Sequence, residues 1–464
     1  MAEKRDFDLA VIGAGPAGYV AAIRASQLGL SACVVEKEKP GGVCLNIGCI
    51  PSKAIIHQAS NFLGASDLES IGVTIDRSTL DYERVFKKSR KAADTLSKGV
   101  SFLLKKNSVE LISGSGAVIG PNEVAVDEKR TISANHIMLA TGSRPIELSD
   151  FPVDEKIVLT SNGALMLTKL PKKLIILGGG YIGCEFAYAM SAFGVEVIVV
   201  EMLEHILPME DPEIAEQLAK SFKKQGISIH ASTRASGMKK TGSTLELTLE
   251  PISGGKSTVT ADALLVVVGR RPNTENLGLE KVGIKTEKGY VNVGDYYQTN
   301  VPSIYAVGDI VRSPALAHVA SKEAEIAVEH IAGRRTETRI DPDLIPAAVY
   351  TEPQVASFGV DEARAKERGL KFETASFPYR GAGKSVAVEH PDGMVKLVVA
   401  PESSEILGAQ IVGANATELI HEILLAKKAE LLPEDIATMI HAHPTLSEAV
   451  MEAHRAAEGW AIHV

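Results

Sequence analysis

Phe7–Ile12 (FDLAVI) runs directly into Gly13-Ala14-Gly15-Pro16-Ala17-Gly18, and Leu174–Leu177 (LIIL) runs directly into Gly178-Gly179-Gly180-Tyr181-Ile182-Gly183. Each apolar strand and glycine turn leads into a small-residue-rich helical stretch. A second strand follows, Ala32–Val35 ending at Glu36 in one copy and Val195–Val200 ending at Glu201 in the other. The interval from Gly13 to Glu36 is 23 positions, and so is that from Gly178 to Glu201. One glycine-rich turn is an ordinary tight loop. Two of them, each in strand–turn–helix–strand context with a terminal acid at equal spacing, indicate a duplicated dinucleotide-binding unit. The first glycine permits the turn, the second admits a pyrophosphate against the backbone, and the third lets helix and strand pack closely. The helix N-terminus offers amide donors and the positive end of its dipole to the phosphates. The acid suits an adenosine ribose and repels a 2′-phosphate. Glu201 is followed by Met202, Leu203 and Glu204 with no arginine, so the second site is expected to take NAD rather than NADP.

Ile137–Ala140 enters Thr141-Gly142-Ser143-Arg144-Pro145, and Leu264–Val268 enters Gly269-Arg270-Arg271-Pro272. These echoing strand ends are expected where a nucleotide-binding domain hands the chain to its neighbour. Ile304–Val307 leads to Gly308-Asp309, another strand end with an acid. Beyond about residue 345, strand-like Val395–Val399 and Glu405–Val412 precede helical Ala416–Lys428 and Pro433–Ile440, an α+β pattern. At ~150 residues per domain the prior is about three domains, for a chain of 464 residues. Its 45% hydrophobic and 23% charged residues are those of a globular protein. A net charge of −9 supplies no basic field for nucleic acid or an anionic membrane. Four cysteines are too few for a secreted disulfide scaffold. No apolar run reaches the ~18 residues of a membrane span, and the N-terminus shows no leader pattern. A soluble, cytoplasmic protein is expected.

The most specific stretch is Gly41-Gly42-Val43-Cys44-Leu45-Asn46-Ile47-Gly48-Cys49-Ile50-Pro51-Ser52-Lys53. Residues five apart in a regular helix have Cα atoms roughly 8.7 Å apart, beyond the ~7 Å limit for a disulfide. A bridge would need a local distortion, which Gly48 could permit. Otherwise the pair is two inert thiols or half a metal site, and no further Cys or His stands near enough to complete the latter. Cys33 in a strand and Cys184 at a helix start fit small buried hydrophobes.

This stretch resembles the redox-disulfide signature of the pyridine nucleotide–disulfide oxidoreductases, differing chiefly by Val43 where a threonine is usual. Ile50-Pro51-Ser52-Lys53 and His441-Ala442-His443-Pro444-Thr445-Leu446-Ser447-Glu448 resemble the branch of that family that oxidises dihydrolipoyl groups. The likeness spans essentially the whole chain with the motifs in the family's order. It implies an α/β fold of two Rossmann-like dinucleotide-binding domains plus a C-terminal α+β dimerisation domain. The expected boundaries are 1–148 for FAD, 149–276 for NAD, 277–344 completing the FAD domain and 345–464 for the interface. Gly13, Gly15, Gly18 and Glu36 would hold the FAD adenosine and pyrophosphate. Gly116, Thr141, Gly142, Asp309 and Ala317 would make further FAD contacts, Asp309 toward the ribitol. Cys49 would be the flavin-proximal sulfur and Cys44 the sulfur that exchanges with substrate. Lys53 would lie near the flavin and pair with Glu185. Gly178, Gly180, Tyr181, Gly183, Glu201 and Gly269 would contact NAD, and no metal is implied.

His443 is the candidate acid–base, with His441 beside it expected to be merely solvent-exposed. Thiol–disulfide exchange needs a thiolate, and a dithiol of pKa near 8.5 is mostly protonated at neutral pH. A base titrating near neutrality is efficient there. Glu448 can orient the imidazole if a turn, for which Pro444 is suited, brings the two together. The likeness implies a homodimer in which this base serves the disulfide of the other subunit. It also implies a substrate arm carried by the lipoyl domain of a 2-oxo acid dehydrogenase or glycine-cleavage complex. Tyr181 stands where that branch usually has an aliphatic residue; in glutathione reductase a tyrosine covers the flavin until nicotinamide displaces it. A glutathione-reductase-like enzyme would want basic residues where Glu201 stands. A non-catalytic flavin-bearing assembly subunit would not need Cys44, Cys49, His443 and Glu448 together.

Overall fold

Phe7–Ile12 ends in four consecutive buried residues, the run of a strand covered on both faces. It pairs in parallel with Ala32–Glu36, Leu9 opposite Ala32 and Ile12 opposite Val35, and on its other side with Arg130–Leu139. Glu110–Ser113 and Ile304–Ala306 extend the parallel set, while Glu123–Val126 and Gly116–Gly120 continue antiparallel from Arg130–Leu139. Alternate residues of the first strand feed two cores. Leu9 and Val11 join Ala17, Ala21 and Ala25 of the helix Pro16–Gln27 and Ala324 and Ala327 of the helix Ala317–Ile331. Ala10 and Ile12 join Cys33, Ile137 and Leu139 on the opposite face. The alanines let both helices lie close to the sheet. This computed structural model describes residues 5–127 and 129–463.

The strand set belongs to one of two compact units, built from residues up to Ile55, Asp81–Ile146 and Gly269–Ile340. The echoing segments lie within it, where Ser143–Pro145 and Arg270–Pro272 pair as an antiparallel two-stranded link.

The other unit comprises Ile56–Leu80, Glu147–Val268 and the chain from Asp341 on. Here Lys173–Leu177 repeats the buried-strand pattern at the centre of an all-parallel sheet, ordered Ser228–His230, Glu196–Val200, Lys173–Leu177, Ala263–Val266, Val158–Leu159. An antiparallel ribbon of Thr233–Thr241, Thr244–Pro251 and Ser257–Ala261 accompanies it. The chain then forms a five-stranded antiparallel sheet in the order Ala347–Val349, Gln354–Gly359, Ile406–Gly413, Met394–Val399, Glu373–Pro378. Phe377, Leu397 and Ile411 pack there against Ile420 and Ile423 of the helix Ala416–Lys428 and Val450 of the helix Ser447–Ala457. The helix expected over Pro433–Ile440 stops at Ala437. Met439 and Ile440 are exposed, so no burial rewards a further turn. Among the described residues, no helix is long and apolar enough to cross a membrane.

Candidate functional site

In the first unit the three glycines of the opening turn have separate structural reasons. Gly13 has φ +103°, and a Cβ there would lie 2.4 Å from the Ala140 carbonyl oxygen. A Cβ on Gly18 would lie 1.8 Å from the Gly13 carbonyl oxygen, so helix and strand touch through it. A Cβ on Gly15 would meet nothing within 4 Å. That glycine faces open space, as a backbone reserved for a ligand should. Helices such as Tyr82–Lys106 and Pro212–Lys224 are capped by the Asp81 and Asp211 carboxylates. The N-terminus of Pro16–Gln27 has no side-chain cap, and neither does that of Ala317–Ile331. Uncapped amides beside a bare backbone fit the pyrophosphate of a dinucleotide. Glu36 accepts from the Ala14 and Glu38 amides at 2.7 and 2.8 Å, so it shapes the turn with lone pairs left for a ribose.

The cysteine segment docks on that turn. The Gly41 N–H donates to the Ala14 carbonyl at 2.7 Å, and a Cβ on Gly42 would lie 2.7 Å from Gly15 Cα. Gly48, at φ −145° and ψ −113°, separates the helix Gly42–Ile47 from the helix Cys49–Leu63. The break brings the Cys44 and Cys49 side chains into hydrogen-bond contact as thiols. That contact with Cys49, with burial, pushes the Cys44 thiol up; Lys53, one turn beyond Cys49, opposes it.

Asp309 accepts from the Ser143 hydroxyl, and that hydroxyl accepts from Arg270 Nε at 2.7 Å. Ser143 and Arg270 are site residues the sequence reading passed over. The Thr141 hydroxyl donates to the Asn273 carbonyl at 2.7 Å, and a Cβ on Gly142 next to it would meet nothing within 4 Å. Gly116 is structural: a Cβ there would lie 3.0 Å from Ile12 Cγ2. Gly269 also falls in this unit, its carbonyl accepting from the Ile146 amide at 3.1 Å. Another unforeseen residue, Glu323, is fully buried behind Asp309 and accepts from the Gly308 amide at 2.6 Å. Burial pushes its carboxyl up to about 7, against the pull of that amide.

The second unit repeats the first turn closely. Gly178 has φ +103° and would place a Cβ 2.6 Å from the Val267 carbonyl oxygen; at Gly183 a Cβ would lie 1.9 Å from the Gly178 carbonyl oxygen. Gly180 is open, and the helix Tyr181–Ala192 has no side-chain cap. Glu201, buried at 8% exposure, accepts from the Gly179 and Leu203 amides at 2.7 and 2.8 Å. A buried carboxylate at this place fits a ribose diol and excludes a phosphate dianion. The Tyr181 hydroxyl donates to Glu210, itself buried, so the ring is tethered within its own unit. Burial and then the Glu210 charge push the Tyr181 phenol up. Glu185 accepts from the Tyr350 amide at 3.2 Å.

His443 and Glu448 meet as expected, Nδ1 to Oε1 at 2.9 Å, across a turn that contains the cis His443–Pro444 bond. Glu448 also accepts from the Thr445 amide at 2.8 Å. Burial opposes ionisation of Glu448, but the Thr445 amide and His443 hold its carboxyl below the usual range. The His443 ring is 76% exposed. His441 corrects its expectation: its side chain is 3% exposed and bonds Glu422 at 2.8 Å. Two histidines separated by one residue on an irregular turn thus differ in burial, one a buried brace and the other exposed.

Residues 7–324 match the pyridine nucleotide-disulphide oxidoreductase family, and 345–454 match the dimerisation domain that carries the same name. The chain is 45% identical to a dihydrolipoyl dehydrogenase of Bacillus subtilis, over 98% of this chain and 97% of the relative. It is 40% identical to the mitochondrial dihydrolipoyl dehydrogenase of Pisum sativum, over 98% and 92%. The crystal structure of LpdA from Mycobacterium tuberculosis superposes with a TM-score of 0.88 at 28% identity, covering 96% of this chain and 99% of that one.

Proposed function

We propose that this chain, which belongs to the pyridine nucleotide-disulphide oxidoreductase family, is an FAD enzyme that oxidises dihydrolipoyl groups and reduces NAD. The observation that carries the reading is the Cys44–Cys49 contact, created by the Gly48 break and docked on a turn built for a dinucleotide. The Gly15 turn, the uncapped amides of Pro16–Gln27 and Ala317–Ile331, Glu36 and Asp309 would hold FAD. Thr141, Gly142 and Gly116 frame the same unit. When bound, the flavin supplies two-electron transfer between the cysteine pair and NAD. Gly178, Gly180, Gly183 and Glu201 would hold NAD, with Tyr181, Glu185 and Gly269 as further candidate contacts.

The protein's own groups manage the thiol chemistry. His443 Nδ1–H donates to Glu448, which leaves Nε2 with a lone pair on the exposed edge of the ring. Nε2 takes the proton of one dihydrolipoyl thiol, and Glu448 stabilises the resulting imidazolium. The thiolate attacks Cys44 of the oxidised pair, breaking the Cys44–Cys49 bond and releasing Cys49 as thiolate. The second dihydrolipoyl sulfur then displaces Cys44 and closes the lipoyl disulfide. The cysteines are left as a reduced pair.

The match to a dimerisation domain supports a homodimer, with the His443–Glu448 pair of one subunit serving the cysteines of the other. The substrate arm is the lipoyl domain of a 2-oxo acid dehydrogenase or glycine-cleavage complex, in the cytoplasm. The division 1–148, 149–276, 277–344 and 345–464 is the domain organisation that accompanies this reading. Anaerobic titration of the FAD-loaded enzyme with dihydrolipoamide tests it. One equivalent per chain should produce the long-wavelength thiolate–flavin band, and NAD should discharge it. A spectrum untouched by dihydrolipoamide but altered by dithiothreitol would refute the substrate. Glu201 further sets kcat/KM for NAD at least about a hundredfold above that for NADP, roughly 2.7 kcal/mol; equal values would refute its role.

A further inference from the structure

Arg270 is absent from the exchange chemistry above, yet it is the centre of a half-buried polar chain in the first unit. Its Nε donates to the Ser143 hydroxyl and its Nη2 to the Ser143 carbonyl, both at 2.7 Å. One guanidinium edge thus grips one residue twice, a fork that lysine cannot reproduce. The Ser143 hydroxyl, having accepted from Arg270, commits its single proton to Asp309. Arg270 Nε lies 3.9 Å from the same Asp309 oxygen. The pairing of Ser143–Pro145 with Arg270–Pro272 holds donor and acceptor in register.

The cation has more than one anion to serve. Burial lowers the Arg270 pKa, while the charges of Asp309 and then Cys49 oppose that fall. So Arg270 lies within electrostatic range of the cysteine that the proposed exchange releases as a thiolate. Other titratable groups act on the cysteine pair and on Asp309. They are Cys44 on the helix Gly42–Ile47, Lys53 on the helix Cys49–Leu63, Tyr19 on the helix Pro16–Gln27 and Glu323 on the helix Ala317–Ile331. Arg270 answers to both Asp309 and Cys49.

We propose that Arg270 is a positioning residue for this reaction, fixing Asp309 through Ser143 while its charge favours the Cys49 thiolate in the reduced enzyme. The proposal rests on the cysteine–flavin reading above, but its test does not require a dihydrolipoyl substrate. The FAD-loaded enzyme is reduced anaerobically with one two-electron equivalent of dithionite, and the thiolate–flavin band is followed against pH. Arg270→Gln should raise the pH midpoint of the band by roughly one unit, about a tenfold loss of thiolate. Arg270→Lys should restore most of that midpoint because it restores the charge. Ser143→Ala should leave the midpoint near wild type and weaken FAD retention about tenfold, since Asp309 loses its donor. Should Arg270→Gln fail to hold FAD, the rate of Cys49 alkylation by iodoacetamide in a Cys44→Ser background reports the same upward shift. An unchanged midpoint in Arg270→Gln by either method, or a midpoint in Arg270→Lys as displaced as in Arg270→Gln, would overturn the charge role. Wild-type FAD retention in Ser143→Ala would overturn the positioning role. Failure of dihydrolipoamide to reduce the enzyme would refute the substrate assignment and leave these results readable.

Discussion

Gly180 and Gly183 are three residues apart in one turn, and substituting each with alanine should damage different properties. At Gly183 the new methyl would lie 1.9 Å from the Gly178 carbonyl oxygen. Ordinary contact requires the helix to retreat by more than ~1 Å, and overpacking of this kind costs about 3 kcal/mol or more. Gly178 cannot yield, because its φ is +103° and the Val267 carbonyl stands behind it. At ~2 °C per kcal/mol for a unit of this size, Gly183→Ala should unfold about 6 °C lower than wild type. Gly180 is different: its φ of −73° and ψ of −171° suit any residue, and its Cβ direction is empty. Losing glycine at the cap is offset by the stiffer unfolded chain, so Gly180→Ala should stay within ~1 kcal/mol of wild type. Its methyl instead occupies the space where a phosphate oxygen must approach the helix amides. Loss of one charge-assisted hydrogen bond is worth about 1.5–3 kcal/mol, so KM for NAD should rise roughly 10- to 150-fold. Thermal unfolding without nucleotide, followed by far-ultraviolet circular dichroism, and steady-state kinetics in NAD together separate the two variants. Gly183→Ala melting with wild type, or Gly180→Ala keeping wild-type KM, would show that the division of labour is wrong.

Lys396 is buried among Asp211 at 3.0 Å, Glu213 at 3.0 Å and Glu362 at 2.8 Å. Lys396→Met strands the buried Asp211 carboxylate and should cost about 3–5 kcal/mol in thermal unfolding, with a further Asp211→Asn change recovering part of the loss. Glu323 keeps its proton in the folded protein up to about pH 7, whereas the unfolded chain releases it near the ordinary glutamate value. Its contribution is therefore full below about pH 4.5 and falls by about 3 kcal/mol as pH rises to 7; Glu323→Gln should abolish that slope in a pH series of unfolding midpoints. Glu448→Gln keeps an acceptor for His443 but loses the charge that favours imidazolium. It should lower dihydrolipoamide oxidation about 10- to 100-fold and move the acid limb of its pH–rate profile down by about one unit, and an unmoved limb would argue against His443 as the base.

The parts of the site legible in the sequence are those encoded within one turn. Gly18 and Gly183 answer to a glycine five residues earlier and Gly15 and Gly180 face open space, so spacing discloses their tasks, whereas the neighbours that also confine Gly13 and Gly178, Ala140 and Val267, lie far along the chain. The Cys44–Cys49 spacing was ambiguous because i,i+5 in an unbroken helix forbids contact, and only the actual φ and ψ of Gly48 decide the matter. The sequence singles out His443 over His441, but the burial of His441 is not legible there, because its brace Glu422 lies on a separate helix. Tyr181 was singled out, but its partner Glu210 was not, since nothing local to either residue announces the bond. Arg270 shows the limit most plainly. Thr141–Pro145 and Gly269–Pro272 were recognisable as echoes of each other, and the structure explains the echo by pairing them as two strands. That pairing carries Arg270 to Ser143, and the end of the strand Ile304–Ala306 then presents Asp309 to both. A repeat was visible in the sequence; that the two copies touch, and so create a charged chain neither copy contains, is a consequence of tertiary structure alone.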